Sequence, residues 1–291
     1  MVLLTMILTK YALIDNDVFN NSWFFSNIQF TYLTLAVILI TAGGYIINDI
    51  FDVETDKINR NNKVLIKTIF SKKKAIKIYF ILTLMGLLLG FLMSFKFYYF
   101  FYFLIPTLFL FCYSKYLKKT PLLGNIIISL MISYVIYLTY KYHFISGCCN
   151  TFSVFDKLLK NVIYIYIMFS FLTTLIREII KDIEDVNGDL KINAKTLPIV
   201  IGRKRASYVA FFFACVLLVF LTIVLKLLKD EVLFLSYGIV FILLPLLYFL
   251  FLLWNAETKK QYSRLSNLMK TIMFFGILSM LFFRFLGTSL F

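Results

Sequence analysis

F-T-Y-L-T-L-A-V-I-L-I-T-A-G-G-Y-I-I (Phe30–Ile47) runs without a break into N-D-I-F-D-V-E-T-D (Asn48–Asp56). The first part is an apolar run close to the ~20 residues that a helix needs to cross a bilayer. The second brings acidic residues to the end of that run. At about 100° per residue, Asp49, Asp52 and Asp56 (i, i+3, i+7) fall within an arc of roughly 60°. Three carboxylates therefore share one face of a helix end, and Glu54 points elsewhere.

The arrangement returns as D-I-E-D-V-N-G-D (Asp182–Asp189). Aligned without gaps, Asp49–Asp56 and Asp182–Asp189 agree at five of eight positions, all three aspartates included. Glu178, one turn earlier, shares the second face. Nine of the 15 acidic residues lie in Asp49–Asp56 or Glu178–Asp189. A single acidic cluster often does no more than end a helix at the headgroups. The same spacing twice, in a chain of net charge +15, needs another cause.

The composition is 61% hydrophobic and 15% charged, with a mean hydropathy of +0.88. Apolar runs near 20 residues recur, so the chain is expected to be an all-α polytopic membrane protein, because backbone groups in lipid need partners within their own helix. No alternating ten-residue pattern argues for a barrel. Nine apolar segments fall at about Val2–Ile14, Phe30–Ile47, Ile78–Phe95, Phe97–Tyr113, Leu122–Tyr140, Val162–Ile180, Ala206–Leu228, Val232–Trp254 and Thr271–Leu286. The first is short for a span, either an incomplete helix or a chain that starts downstream of its natural beginning. Residues 1–291 are read as one transmembrane domain.

The basic residues give the orientation and exclude nucleic acid as the partner that the net charge would otherwise suggest. Twenty-one of the 30 lysines and arginines follow segments two, four, six and eight, Arg177 lies just inside the end of segment six, and six lie in the opposite loops. By the positive-inside rule the first set is cytoplasmic, and both acidic ends open to that side. The expected location is a bacterial inner membrane with the acidic loops in the cytoplasm. Cys112, Cys148, Cys149 and Cys215 show no zinc spacing and are read as structural. His143 is placed in an extracytoplasmic loop, solvated. Pro106 and Pro245 are expected to kink their helices.

Ionised aspartates at membrane level are costly, about 2.5–3.5 kcal/mol each at a helix centre, and clustered ones repel one another. Cations in a water-filled cavity would neutralise them. Oxygen ligands without His or Cys point to Mg²⁺, ahead of Mn²⁺ or Ca²⁺; Mg²⁺ is usually held by one or two carboxylates plus substrate phosphates. Arg60, Lys63, Lys191 and Lys195, just downstream of the two clusters, are candidates to cover phosphate oxygens. A diphosphate clamp at the mouth of an apolar cavity suits a polyprenyl diphosphate, ionised at its allylic C–O bond and captured by a lipophilic acceptor.

These residues resemble the UbiA superfamily of intramembrane prenyltransferases. Its motif N-D-x-x-D-x-x-x-D stands here as Asn48, Asp49, Asp52 and Asp56. Its second, D-x-x-x-D, stands as Asp185 and Asp189, with Asp182 extending it. The match continues through Lys57-Ile58-Asn59-Arg60 and through Gly188-Asp189 to Thr196-Leu197-Pro198. The resemblance implies a nine-helix bundle around a central cavity, with Mg²⁺ on the six aspartates and Asn48 beside the diphosphate. The stretch Arg177–Pro198 looks most like the geranylgeranylglyceryl-phosphate branch, which implies a lipid-glycerol phosphate acceptor; an aromatic quinone precursor is the alternative. Asn61 departs from the family, which commonly has proline there. Outside enzymology, the competing readings are a divalent-cation transporter and an inactive scaffold.

Overall fold

The computed structural model describes residues 1–15, 26–59, 71–94, 96–145 and 154–285. Among them every regular element is helical. The elements are α1 (Val2–Ile14), α2 (Asn27–Asn59), α3 (Lys72–Leu92), α4 (Phe97–Lys115), α5 (Leu123–Ile145), α6 (Val154–Lys191), α7 (Leu197–Ile201), α8 (Arg203–Leu227), α9 (Val232–Trp254) and α10 (Lys259–Leu278), the last continued by short turns to Phe285. Among the described residues, seven of these (α2 to α6, α8 and α9) are long and apolar enough to cross a membrane. Each of the nine expected segments is largely helical over its described residues, but α1 is short and α10 begins with Lys259, Lys260 and Arg264. A count of nine spans is therefore finer than the helices themselves establish.

The chain divides into two compact units: residues 27–131 with 185–203, and residues 1–26 with 132–184 and 204–291. In the first, α2 packs along α3, and small residues let the backbones approach. A Cβ on Gly86 would lie 2.8 Å from Ile40 Cγ1 and 3.1 Å from the Ala36 carbonyl oxygen. On Gly90 it would meet the Phe103 ring at 2.5 Å.

In the second unit, the core gathers Leu13, Ile136, Tyr140, Leu159, Ile163, Tyr166 and Met280. The Tyr166 and Ser279 hydroxyls share a hydrogen bond of 2.8 Å, which keeps both polar groups satisfied in an apolar setting. An apolar cavity of about 110 Å³ opens beside them, lined also by Phe169, Leu221 and Phe234. Pro245 has no N–H to give, and the turn before it, Ile239–Leu243, widens to the π form, a known way of absorbing a break in the ladder.

His143 is not in a solvated loop: α5 runs on to Ile145 and His143, 3% exposed, turns inward beside Tyr142. Cys112 and Cys215 are free thiols. Cys148, Cys149, Arg60, Asn61 and Lys63 lie outside the described residues.

Candidate active site

The site forms in the unit of residues 27–131 and 185–203, from three pieces of chain. The first is the end of α2. Apolar positions Ile47, Ile50 and Val53 pack inward with Ala75 and Tyr79 of α3, and this fixes the rotation of the helix. Asp52 is thereby carried inside, only 7% exposed. Asp56 is half-buried and Asp49 exposed, so the shared face read from the spacing is graded in depth. Asn48, one turn back, donates from Nδ2 to Asp52 Oδ2 at 2.6 Å.

The second piece is the turn Leu117–Lys119 after α4. Thr120 precedes Pro121 and is held extended, as residues before proline are. Its Oγ1 donates to the Leu117 carbonyl at 2.6 Å. Gly124 allows the turn to lie flat on the start of α5, since a Cβ there would be 2.6 Å from the Leu117 oxygen. This geometry sends the Lys118 side chain, 25% exposed, to Asp52 Oδ2, with which it forms an ion pair. Burial alone would lower the affinity of the amine for its proton. Asp52, Asp189 and Asp56 more than offset that, and together they hold the ammonium above its ordinary range.

The third piece follows the end of α6. Asn193 adopts a left-handed conformation (φ 52°), one that asparagine tolerates better than most residues. The chain turns there, and the Ala194 N–H donates to the Asp189 carbonyl at 3.1 Å. Thr196 then opens α7, with Pro198 in the first turn, a favoured place for proline. The Thr196 hydroxyl donates to Asp189 Oδ2 at 3.4 Å, a long bond in a buried setting. Asp189 is 7% exposed and within electrostatic reach of Lys118, Asp185 and Asp52. The Lys195 N–H donates to the Lys119 carbonyl at 2.9 Å and ties the second piece to the third.

The Lys118 ammonium thus pairs with Asp52 of the first motif and lies within electrostatic reach of Asp189 of the second, and of Asp56. Asp185 is half-buried one turn before Asp189, while Lys191 and Lys195 are exposed. Asp182 belongs to the other unit's part of α6, where it is half-buried and where buried Glu178 pairs with Arg177. Lys118 and Thr196 join Asn48 in direct contact with the buried carboxylates, and motif spacing singles out neither of them. Spacing marks Lys118 only as cytoplasmic charge. The Thr120-Pro121 pair signals a rigid turn there, without saying which lysine it aims inward.

The donor set fits Mg²⁺: the oxygens are hard, and those of Asp52 and Asp189 are buried within electrostatic reach of each other. Among the described residues no three of His, Cys, Asp and Glu close into a ready-made ligand cage.

Comparison with known proteins bears on this arrangement. The UbiA prenyltransferase family matches residues 3–278. A digeranylgeranylglyceryl phosphate synthase of Thermococcus gammatolerans is 35% identical over 253 residues, spanning 85% of this chain and 83% of the relative. A solved structure from a study of digeranylgeranylglyceryl phosphate synthase in membranes superposes with a TM-score of 0.69 at 25% identity, covering 97% of this chain and 92% of that one. A UbiA homolog from Archaeoglobus fulgidus, solved with GPP and Mg²⁺, gives a TM-score of 0.61 at 15% identity, covering 96% of this chain and 94% of that one, and shares the fold.

Proposed function

Because this chain belongs to the UbiA prenyltransferase family, we propose that it moves a polyprenyl group from an allylic diphosphate to a lipid-glycerol phosphate within the membrane. The observation that carries this reading is that Asp52 and Asp189, one from each motif, are both buried and lie within electrostatic reach of each other and of Lys118. Relatives named digeranylgeranylglyceryl phosphate synthase favour the glycerophosphate acceptor and lend nothing to a quinone precursor.

In this reading Asp49, Asp52 and Asp56, with Asp182, Asp185 and Asp189, supply the carboxylates for Mg²⁺, and the two buried ones are its principal holders. When bound, Mg²⁺ would draw charge from the leaving diphosphate. Asn48 orients Asp52, and Thr196 orients Asp189. Lys118 adds an ammonium for phosphate oxygens, assisted by Lys191, Lys195 and the loop residues Arg60 and Lys63. The allylic C–O bond breaks with its electron pair leaving on the diphosphate. An acceptor oxygen attacks the carbon and loses its proton.

The family match crosses both compact units, which supports treating the chain as one transmembrane domain. The excess of basic residues after even-numbered segments supports placing the acidic ends in the cytoplasm. The curated relatives are archaeal, so the membrane proposed is the cell membrane, without the bacterial assignment.

Purified protein given geranylgeranyl diphosphate and geranylgeranylglyceryl phosphate should release diphosphate and yield the doubly prenylated lipid by mass spectrometry, with Mg²⁺ and not with EDTA. Full turnover in both Asp52→Ala and Asp185→Ala would overturn the carboxylate assignment. Mg²⁺-dependent diphosphate binding without product would favour the scaffold.

A further inference from the structure

Building on that metal-dependent reading, we propose that Lys118 is the exchangeable counter-ion of the carboxylate cluster: its ammonium occupies the cation position until Mg²⁺ enters, and then turns to the diphosphate. Asp52 Oδ2 accepts from both Asn48 Nδ2 and Lys118 Nζ. A carboxylate oxygen offers about two lone-pair sites, so a metal reaching that oxygen must displace one donor. Asn48 is one turn away on the same helix and reaches the carboxylate through a short side chain with two rotatable bonds. Lys118 ends a flexible four-carbon stem.

The loop does not need the ammonium to hold its shape. The Lys119 carbonyl accepts from the Lys195 N–H, and the Leu117 carbonyl accepts from Thr120 Oγ1. Lys118 can therefore swing while its backbone stays in place. Charge drives the exchange. Asp52 pairs with the Lys118 ammonium, Asp189 and Asp56 lie within its electrostatic reach, and a divalent ion brings twice its charge to the same carboxylates. An arriving diphosphate reverses the local sign and gives the released ammonium new oxygens to meet.

In Lys118→Met, Mg²⁺ titrated without substrate and followed by thermal stability in detergent should bind roughly tenfold more tightly or better, because its competitor is gone. Inorganic pyrophosphate at saturating Mg²⁺ should bind about tenfold more weakly. Lys118→Arg, which keeps the charge, should restore the unaltered Mg²⁺ affinity. Equal or weaker Mg²⁺ binding in Lys118→Met overturns the proposal.

The unaltered protein gives a second test that needs no variant to fold. Labelling of Lys118 by an amine-reactive reagent, read by peptide mass spectrometry, should speed up several-fold with Mg²⁺ alone and slow again when pyrophosphate is added. Labelling unmoved by Mg²⁺ in a protein that still shows Mg²⁺-dependent transfer sinks the exchange and spares the enzyme reading. Absence of any Mg²⁺ response, together with unaltered transfer by Asp52→Asn, sinks both.

Discussion

The two acidic helix ends share their spacing and differ in depth. At the end of α2 the middle aspartate is the buried one: Asp52 is 7% exposed and Asp56 half-buried. At the end of α6 the order is reversed, with Asp185 half-buried and Asp189 7% exposed. Their supports differ too. Asp52 is braced from within its own helix by Asn48, whereas the position equivalent to Asn48 in the second copy is Lys181. Asp189 is braced by Thr196, which reaches it only after the chain has turned through Asn193. The comparison teaches that a repeated motif guarantees a repeated face and no more; what packs against each helix end selects the aspartate that goes inside.

If the two ends are halves of one cation site, Asp52→Asn and Asp189→Asn should each lower prenyl transfer about a thousandfold, the scale of several kcal/mol of transition-state stabilisation. The double variant should be little worse than either single one, as expected for groups that act as a unit. Product formation followed by mass spectrometry decides this, and a loss confined to one end would break the pairing.

The braces should separate next. Asn48→Ala removes the strong, local support and should weaken Mg²⁺ affinity by about 10- to 100-fold, the usual cost of losing a partner that orients a metal ligand; Mg²⁺ dependence of transfer is the readout. Thr196→Val removes a longer hydrogen bond, and a loss of about tenfold in kcat/KM is expected. A larger loss for Thr196→Val than for Asn48→Ala would show that the turn is the more critical support.

The smallest effect belongs to the turn itself. Asn193→Ala should lower stability by about 1 kcal/mol, because alanine resists the left-handed backbone there, while Asn193→Gly should be close to neutral. Thermal unfolding in detergent would register the difference, and two equal variants would mean that the turn relaxes freely.

Much of the site was legible before any coordinates. Asp52 and Asp189 follow from spacing, and their placement at the ends of apolar helices follows from segment length. Lys118 was not legible as a site residue, because nothing in a run of three nearby lysines says which one a turn will aim inward. The aim comes from Thr120-Pro121 and from the close approach that Gly124 permits. His143 is a related case: the apolar run weakens after Tyr140, yet α5 continues to Ile145 and buries it.

The amino-acid order alone determined that this protein is helical and membrane-embedded, and that it carries two matched carboxylate faces. Hydrophobic length and helical periodicity are local properties that any neighbour must accept. Tertiary structure decided which carboxylate of each face is buried, and which lysine neutralises them. Depth and pairing depend on segments far apart in the chain, α2, the Leu117–Lys119 turn and the Thr196 cap, and no residue's neighbours in sequence record that meeting.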